Sequence, residues 1–72
     1  MKPFYGILVS YKSESGVDEE DRTYRPVIEY LHNGKKLTII SDKAYGQMKW
    51  RIRRKIALVG NPDRKETVKI FE

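Results

Sequence analysis

An Asn-Gly pair between two β-rich runs is the feature that most constrains the fold of this chain. Asn33 and Gly34 separate TYRPVIEYLH, residues 23–32, from KKLTIIS, residues 35–41. A two-residue type I′ turn needs positive φ at both central positions, which Asn and Gly adopt at low cost. The β-branched and aromatic residues on both sides are typical of strands. The sequence therefore predicts a β-hairpin at the centre of the chain.

A first strand is predicted for FYGILVSYK, residues 4–12, because its apolar and aromatic residues alternate with a period of two. One face is expected to carry Tyr5, Ile7, Val9 and Tyr11, and the opposite face Phe4, Gly6, Leu8 and Ser10. The glycine at position 6 indicates a bulge or a close approach of a neighbouring backbone. The polar, acidic segment at residues 13–21 is predicted to be a loop.

The strand at residues 23–32 has apolar residues on both faces, which favours a position inside a barrel or sandwich. One face is expected to hold Tyr24, Pro26, Ile28 and Tyr30. Pro26 has no N–H to donate to a ladder, so we expect it at a sheet edge or a bulge. Glu29 is either an ordinary outward-facing strand residue or the cross-strand ion-pair partner of Lys36.

The last third of the chain is harder to interpret from its pattern. Residues 42–48 are expected to form a loop or a single helical turn, since Gly46 disfavours anything longer. Residues 49–59 fit both a strand and a helical face, and we favour a strand at least over residues 55–59. The turn GNPD follows at residues 60–63, and TVKIF at residues 67–71 then predicts a short closing strand. Whether residues 43–54 are helix or strand stays open.

These elements predict one all-β domain over residues 1–72, because a chain of this length has room for a single core. Five short strands with little or no helix point to a small antiparallel barrel or sandwich. The barrels of this size are the SH3-like and the oligonucleotide-fold (OB-like) kinds. A lone hairpin is unstable in water, whereas five strands with a shared apolar face are stable.

The residue composition indicates neither catalysis nor metal binding. The chain has no cysteine, one histidine and no glycine-rich phosphate loop, so we expect neither an enzyme nor a cofactor or metal site. Adjacent acids near residue 20 lack the spacing of a calcium loop. No apolar run is long enough to span a membrane. We expect a cytoplasmic protein or the soluble part of a membrane-associated one.

The formal charge of +5 is unevenly distributed, with acids concentrated at residues 14–22 and five basic residues within residues 49–55. A basic strip is either a solvated surface or a contact for an anionic partner. The candidate residues for an anionic ligand are Tyr45, Lys49, Trp50, Arg51, Arg53, Arg54 and Lys55. A strand here would place Lys49, Arg51, Arg53 and Lys55 on one face. Trp50 would then lie on the opposite face, as a core residue.

The order of these motifs resembles the Domain of Unknown Function 3592 family. The motifs are GILVSY at residues 6–11, YRPVIEY at residues 24–30, the Asn-Gly turn and the late GNPD turn. The chain departs from the family where a glycine usually precedes the fourth strand, here Arg53, and where an aromatic usually precedes Asn-Pro, here Gly60. The resemblance implies an all-β fold and relatives that are often tethered to membranes, and it implies no activity.

Two functional hypotheses follow. The first is an interaction or assembly module without catalysis, which pairs with a protein partner or a second copy through an exposed strand edge. The second is a small barrel that binds nucleic acid, with cations on the phosphates and aromatic rings under the bases. Steep weakening by salt is the property that would separate the second hypothesis from the first.

Overall fold

The computed structural model describes residues 3–14 and 22–71, and these form one five-stranded antiparallel sheet. The strands are β1 (Phe4–Glu14), β2 (Thr23–His32), β3 (Lys35–Ile40), β4 (Lys55–Val59) and β5 (Lys69–Ile70). A single 3₁₀ turn, Lys65–Thr67, precedes β5 and is the one helical element within these residues. The predicted all-β fold with little or no helix is therefore confirmed.

The strands lie side by side in the order β3-β2-β1-β4-β5, with β1 at the centre. The predicted hairpin joins β2 to β3, where Asn33 and Gly34 have φ of 52° and 77°. Its register runs from His32 opposite Lys35 to Val27 opposite Ile40. Both central residues of the turn thus have the positive φ that the Asn-Gly sequence predicts.

The central strand β1 pairs with β4 through its first half and with β2 through its second half. Its register against β2 shifts between Leu8 and Ser10. The sequence indicated a possible bulge at Gly6, but the bulge lies further along β1. Its extra residue reverses which side chains face the core in the rest of the strand. Tyr11 consequently packs against the core and Ser10 is exposed, so the predicted single alternation is wrong beyond Leu8.

At Gly6 the sequence predicted either a bulge or a close approach of a neighbouring backbone, and the structure shows the close approach. A Cβ atom at this position would lie 2.6 Å from Cγ2 of Ile28 and 2.8 Å from the carbonyl oxygen of Glu29. Real Cβ atoms do not approach that closely, so the β1–β2 spacing above the core requires glycine here.

The core lies on one face of the sheet and draws on β1 to β4 and on the segment before β5. Its buried members are Leu8, Ile28, Tyr30, Ile39, Ile56, Leu58 and Val68. The phenol of Tyr30 donates a hydrogen bond of 3.0 Å to the carbonyl of Pro62. Burial raises the pKa of this phenol, and the carboxylates of Glu66 and Asp63 raise it further. The β2 face predicted to be apolar is the core face, with Pro26, Ile28 and Tyr30 buried.

Pro26 lies in the inner strand β2 opposite Tyr11 of β1, but it is one residue outside the β2–β3 pairing, which ends with Val27 opposite Ile40. Its carbonyl accepts a hydrogen bond of 2.9 Å from the N–H of Ser41, one residue past the end of β3. Proline cannot return that bond, and the guanidinium of Arg25 donates to the Ser41 carbonyl instead, at 3.3 Å. The same nitrogen donates to the Asp42 carbonyl at 2.6 Å. A neighbouring side chain thus supplies the donor that proline lacks.

The last third of the chain forms less regular structure than the pattern suggested. Residues 41–54 are neither helix nor strand and contain one isolated bridge, between Tyr24 and Tyr45. The strand favoured for residues 55–59 is confirmed as β4. The closing strand is shorter than predicted, because Thr67 belongs to the 3₁₀ turn. The acidic loop begins later than predicted, since β1 extends to Glu14, and residues 15–21 lie outside the described residues.

The sheet is not closed into a barrel within the described residues. Strands β3 and β5 are its two edges, and they border a common groove with the 3₁₀ turn. The apolar residues of that groove are Ile39, Val68 and Ile70. The sheet is therefore curled enough for its two edges to line one depression while the core fills the space inside.

Candidate functional site

The basic segment at residues 49–55 is a turn attached to β1, and only its last residue belongs to a strand. The N–H of Arg54 donates to the carbonyl of Arg51 at 3.1 Å, which closes the turn. The N–H of Arg53 donates to the Leu8 carbonyl, and the N–H of Leu8 donates to the Arg54 carbonyl at 3.0 Å. These bonds extend the β1–β4 pairing by one step and end it at the bulge of β1.

Arg53 has φ of 75°, a left-handed conformation that side chains with a Cβ adopt at a cost. A regular strand cannot pass through such a residue, because β φ values are strongly negative. The prediction that Lys49, Arg51, Arg53 and Lys55 share one strand face is therefore wrong. The turn separates these cations: Lys55 lies over the ring of Tyr5, whereas Arg53 lines a different depression.

Trp50 and Tyr45 form an aromatic pair beside the basic turn. Their ring centroids are 5.2 Å apart and their planes are nearly perpendicular. The ammonium of Lys49 lies 5.0 Å from the Trp50 ring centre and 5.4 Å from that of Tyr45. Lys43, which the sequence did not single out, lies 5.3 Å from the Tyr45 ring centre. Two cations thus contact two half-buried rings at one end of the sheet.

A groove begins at the other side of Trp50. Its exposed walls are Tyr5 from β1, Arg54 and Lys55 from the basic turn, and Phe71 after β5. The ammonium of Lys55 lies 4.5 Å from the Tyr5 ring centre. The floor of the groove consists of Ile56, Ala57 and Ile70. We call this the aromatic groove; its volume is about 240 Å³.

The remaining basic residues of the turn point elsewhere. Arg53 lines a depression on the outer face of the sheet with Ile7, Val9, Glu29 and Ile52. Arg51 is exposed and lines neither depression. The structure therefore brings together Tyr45, Lys49 and Trp50, and separately Trp50, Arg54 and Lys55, and it directs Arg53 away from both sets.

Four cations of the turn have no acidic partner within the described residues. The ion pairs found there are Arg25 with Glu14 at 3.5 Å, Lys36 with Glu29 at 3.9 Å, and His32 with Asp63. None of these pairs includes Arg51, Arg53, Arg54 or Lys55. The pairing proposed for Glu29 and Lys36 is thus present, at the long end of ion-pair distances. Within residues 3–14 and 22–71, no carboxylate forms an ion pair with any of these four cations.

Sequence reasoning missed the two exposed rings of the aromatic groove, Tyr5 and Phe71, as well as its apolar floor. The alternation of β1 assigned Tyr5 to the face opposite Leu8, and that face is the outer one. The register of β1 against β4 could not be predicted from the sequence, and it is this register that places Tyr5 opposite the small side chain of Ala57. Phe71 joins the groove because its N–H donates to the Ala57 carbonyl at 2.9 Å, which fixes the chain just after β5.

Two classes of site are not found in the described part of the chain. Residues 3–14 and 22–71 contain no cluster of three histidine or carboxylate side chains placed to hold a metal ion. No helix within those residues is long and apolar enough to cross a membrane.

Comparison of the chain with protein-family models, curated proteins and solved structures found no match. The resemblance to the Domain of Unknown Function 3592 family therefore stays a prediction. What defines the molecule is its open five-stranded antiparallel sheet, with a basic turn and exposed aromatic rings at one end.

Proposed function

We propose that this protein is a non-catalytic module that binds nucleic acid through the basic turn at residues 49–55. The observation that carries the proposal is the position of Arg54 and Lys55. Both cations line the same groove as Tyr5 and Trp50, and neither belongs to an ion pair within the described residues. Unneutralised cations beside exposed rings are the combination with which proteins bind a phosphate backbone and the attached bases.

The charge distribution supports a polyanion as the ligand. The chain carries 15 basic against 10 acidic residues, and five of the basic residues lie within seven positions of sequence. Each lysine or arginine that neutralises a phosphate releases a condensed counterion. The released counterions gain entropy in the bulk solution, which makes binding more favourable at low salt. The contributions of neighbouring contacts are summed. Arg54 and Lys55 line one groove, so these two cations can contact adjacent phosphates of one backbone.

The test is the salt dependence of binding to a fluorescein-labelled oligonucleotide, followed by anisotropy between about 50 and 200 mM salt. We expect the affinity to fall steeply over this range. With a single-stranded oligonucleotide, the variant Arg54→Gln/Lys55→Gln should reduce the slope of log affinity against log salt by about 0.7 for each phosphate that the variant no longer neutralises. Lys35→Gln, at the exposed hairpin turn, is the matched control and should leave the slope unchanged. No binding at low salt, or equal slopes for all variants, would overturn the proposal.

A second candidate function is strand pairing with another protein, supported by the free edge of β3. The hydrogen bond from Ser41 to Pro26 shows which residues of this antiparallel pair face each other through hydrogen bonds. Every second residue does so, and Ile39 and Leu37 are therefore bonded to β2. The alternate residues Lys36, Thr38 and Ile40 therefore direct their backbone groups away from β2. This edge can accept an added strand by β-augmentation.

Thr38→Pro tests the second candidate, because proline there removes an outward N–H and keeps the ladder to β2. Thr38→Ala keeps the N–H and serves as the control. Self-association through this edge predicts a dimer at high protein concentration, detected by sedimentation velocity, that Thr38→Pro abolishes and Thr38→Ala retains. A monomer at every concentration would exclude pairing between copies.

A further inference from the structure

We infer that the aromatic groove is a stacking subsite for one unpaired base, so that the protein prefers single-stranded nucleic acid over duplex. The inference rests on the proposed function and adds the form of the ligand. Phosphate contacts alone do not distinguish a single strand from a duplex, because both present a charged backbone. The distinguishing element is a ring that only an extruded or unpaired base can reach.

Two rings at the groove are open to solvent. Tyr5 is 55% exposed and Phe71 is 58% exposed. Tyr5 stands on the outer face of β1, and its neighbour across the ladder is Ala57, which is too small to cover the ring. The exposure thus follows from the register of the sheet.

The groove has the size of a subsite for a single group. Its volume of about 240 Å³ is below the roughly 300–1,000 Å³ of pockets that enclose whole small molecules. Its floor is apolar, with Ile56, Ala57 and Ile70, and its rim carries the cations Arg54 and Lys55. An apolar floor with a cationic rim is complementary to one base with its attached phosphate.

Lys55 covers part of Tyr5 in the free protein, at 4.5 Å from the ring centre. An exposed cation–π contact contributes only roughly 2- to 5-fold to an equilibrium. A base stacked on an aromatic side chain contributes roughly 5- to 150-fold to affinity. A base therefore displaces the ammonium from the ring, and the released ammonium is then close enough to pair with the phosphate of the same nucleotide.

Trp50 provides a spectroscopic reporter, since it is the only tryptophan and it lines the groove. Stacking of a base at Tyr5 brings that base beside the indole and should quench its fluorescence. Binding of inorganic polyphosphate occupies the cations without a base and should quench it far less. This readout separates stacking from charge neutralisation.

The experiment measures affinity for oligothymidine of about 12 nucleotides, for a duplex of the same length and for inorganic polyphosphate, all at one low salt concentration. We expect the single strand to bind at least about 5-fold more tightly than the duplex. Tyr5→Leu should weaken single-strand binding by about 5-fold or more and leave polyphosphate binding unchanged. Tyr5→Phe keeps the ring and should bind as the native protein does. Leu31→Ala, an exposed apolar position outside the groove, is the control.

The outcomes distinguish the stacking subsite from phosphate-driven binding. Equal binding of single strand and duplex, with Tyr5→Leu indistinguishable from the native protein, overturns the stacking subsite and leaves phosphate-driven binding intact. Failure of single strand, duplex and polyphosphate alike to bind overturns both. Circular dichroism and urea unfolding of each variant establish that a loss of binding is not a loss of fold.

Discussion

The hydroxyl of Tyr11 makes two hydrogen bonds to the backbone of Trp50. It donates to the Trp50 carbonyl at 2.5 Å and accepts from the Trp50 N–H at 2.8 Å. One side chain of β1 thereby satisfies both backbone groups of a residue in a segment without regular structure. The two residues are 39 positions apart in sequence, and the contact holds the indole beside Tyr45 and the aromatic groove.

We predict that Tyr11→Phe destabilises the protein by about 1–2 kcal/mol, because it leaves a donor and an acceptor of a partly buried backbone without partners. Urea unfolding followed by circular dichroism measures the loss. Tyr24→Phe is the matched control: Tyr24 lies edge-on to Tyr11, but its hydroxyl has no hydrogen bond within the described residues. Its cost should stay below about 0.5 kcal/mol. Equal costs for the two variants would contradict the anchoring role of Tyr11.

Gly6→Ala should destabilise the domain by about 1–3 kcal/mol, the usual cost of overpacking. The added methyl group would overlap Cγ2 of Ile28 and the carbonyl oxygen of Glu29, and the latter belongs to a backbone that cannot move aside easily. Gly46→Ala adds the same methyl group where no atom lies within 4 Å. That control should be neutral or stabilising by up to about 1 kcal/mol, since it reduces the entropy of the unfolded chain. Thermal unfolding of the two variants gives the comparison.

Arg53→Gly should leave the protein as stable as the native chain or more stable by up to about 1 kcal/mol. Glycine removes the cost of the left-handed conformation at φ of 75°, and its greater unfolded-state entropy offsets part of that gain. Arg54→Gly, at the adjacent position without positive φ, receives only the entropic cost and should lose about 0.5–1 kcal/mol. Chemical unfolding of both variants measures the difference. A larger loss for Arg53→Gly than for Arg54→Gly would show that the conformation is not strained.

The raised pKa of Tyr30 predicts a loss of stability in alkaline solution. At pH values below about 10 the phenol is protonated in the folded and the unfolded chain alike. Above that value the unfolded chain releases the proton while burial, Glu66 and Asp63 keep it on the folded protein. The free energy of unfolding therefore falls with rising pH, by at most about 1.4 kcal/mol per pH unit for this group, until the folded pKa is passed.

Tyr30→Phe isolates this effect. It removes the hydrogen bond to Pro62 and should cost about 1 kcal/mol at neutral pH. Between about pH 10 and the folded pKa of Tyr30, the stability of this variant should decline less steeply than that of the native protein, because the variant lacks the Tyr30 phenol. Some decline remains, since the lysines and the other tyrosines titrate in both proteins. Parallel curves for the two proteins would refute the coupling. Urea midpoints at successive pH values, with tyrosinate absorbance as a second probe, provide the data.

The hairpin and the core face of β2 were predictable because their signals are local. The turn needs two residues that tolerate positive φ, and Asn33 and Gly34 are adjacent in sequence. The alternation of Pro26, Ile28 and Tyr30 with less buried residues follows from the pleat of one strand. The end of β4 at Val59 was also predictable, because the turn at residues 60–63 follows it directly.

The candidate site was predictable in composition and not in geometry. A count of charges along residues 49–55 identifies the basic segment, but periodicity there fits two structures equally well. Residues 49–54 adopt neither: the β1–β4 ladder ends before the bulge in β1, and the bulge returns Tyr11 to the core face, where its hydroxyl holds Trp50. Trp50 is consequently half-buried, packed against the core and beside the cations.

The sequence by itself determined that this chain forms β-structure around one small core, with its positive charge concentrated before β4. Those properties depend on neighbouring residues: turn preferences, a period of two and the sum of charges. Only the tertiary structure decided which rings meet which cations. Tyr5, Trp50, Lys55 and Phe71 come from three separate segments: β1, the basic turn and the chain after β5. Their encounter depends on strand register and on one bulge. Register follows from packing between distant strands, and no local pattern specifies it.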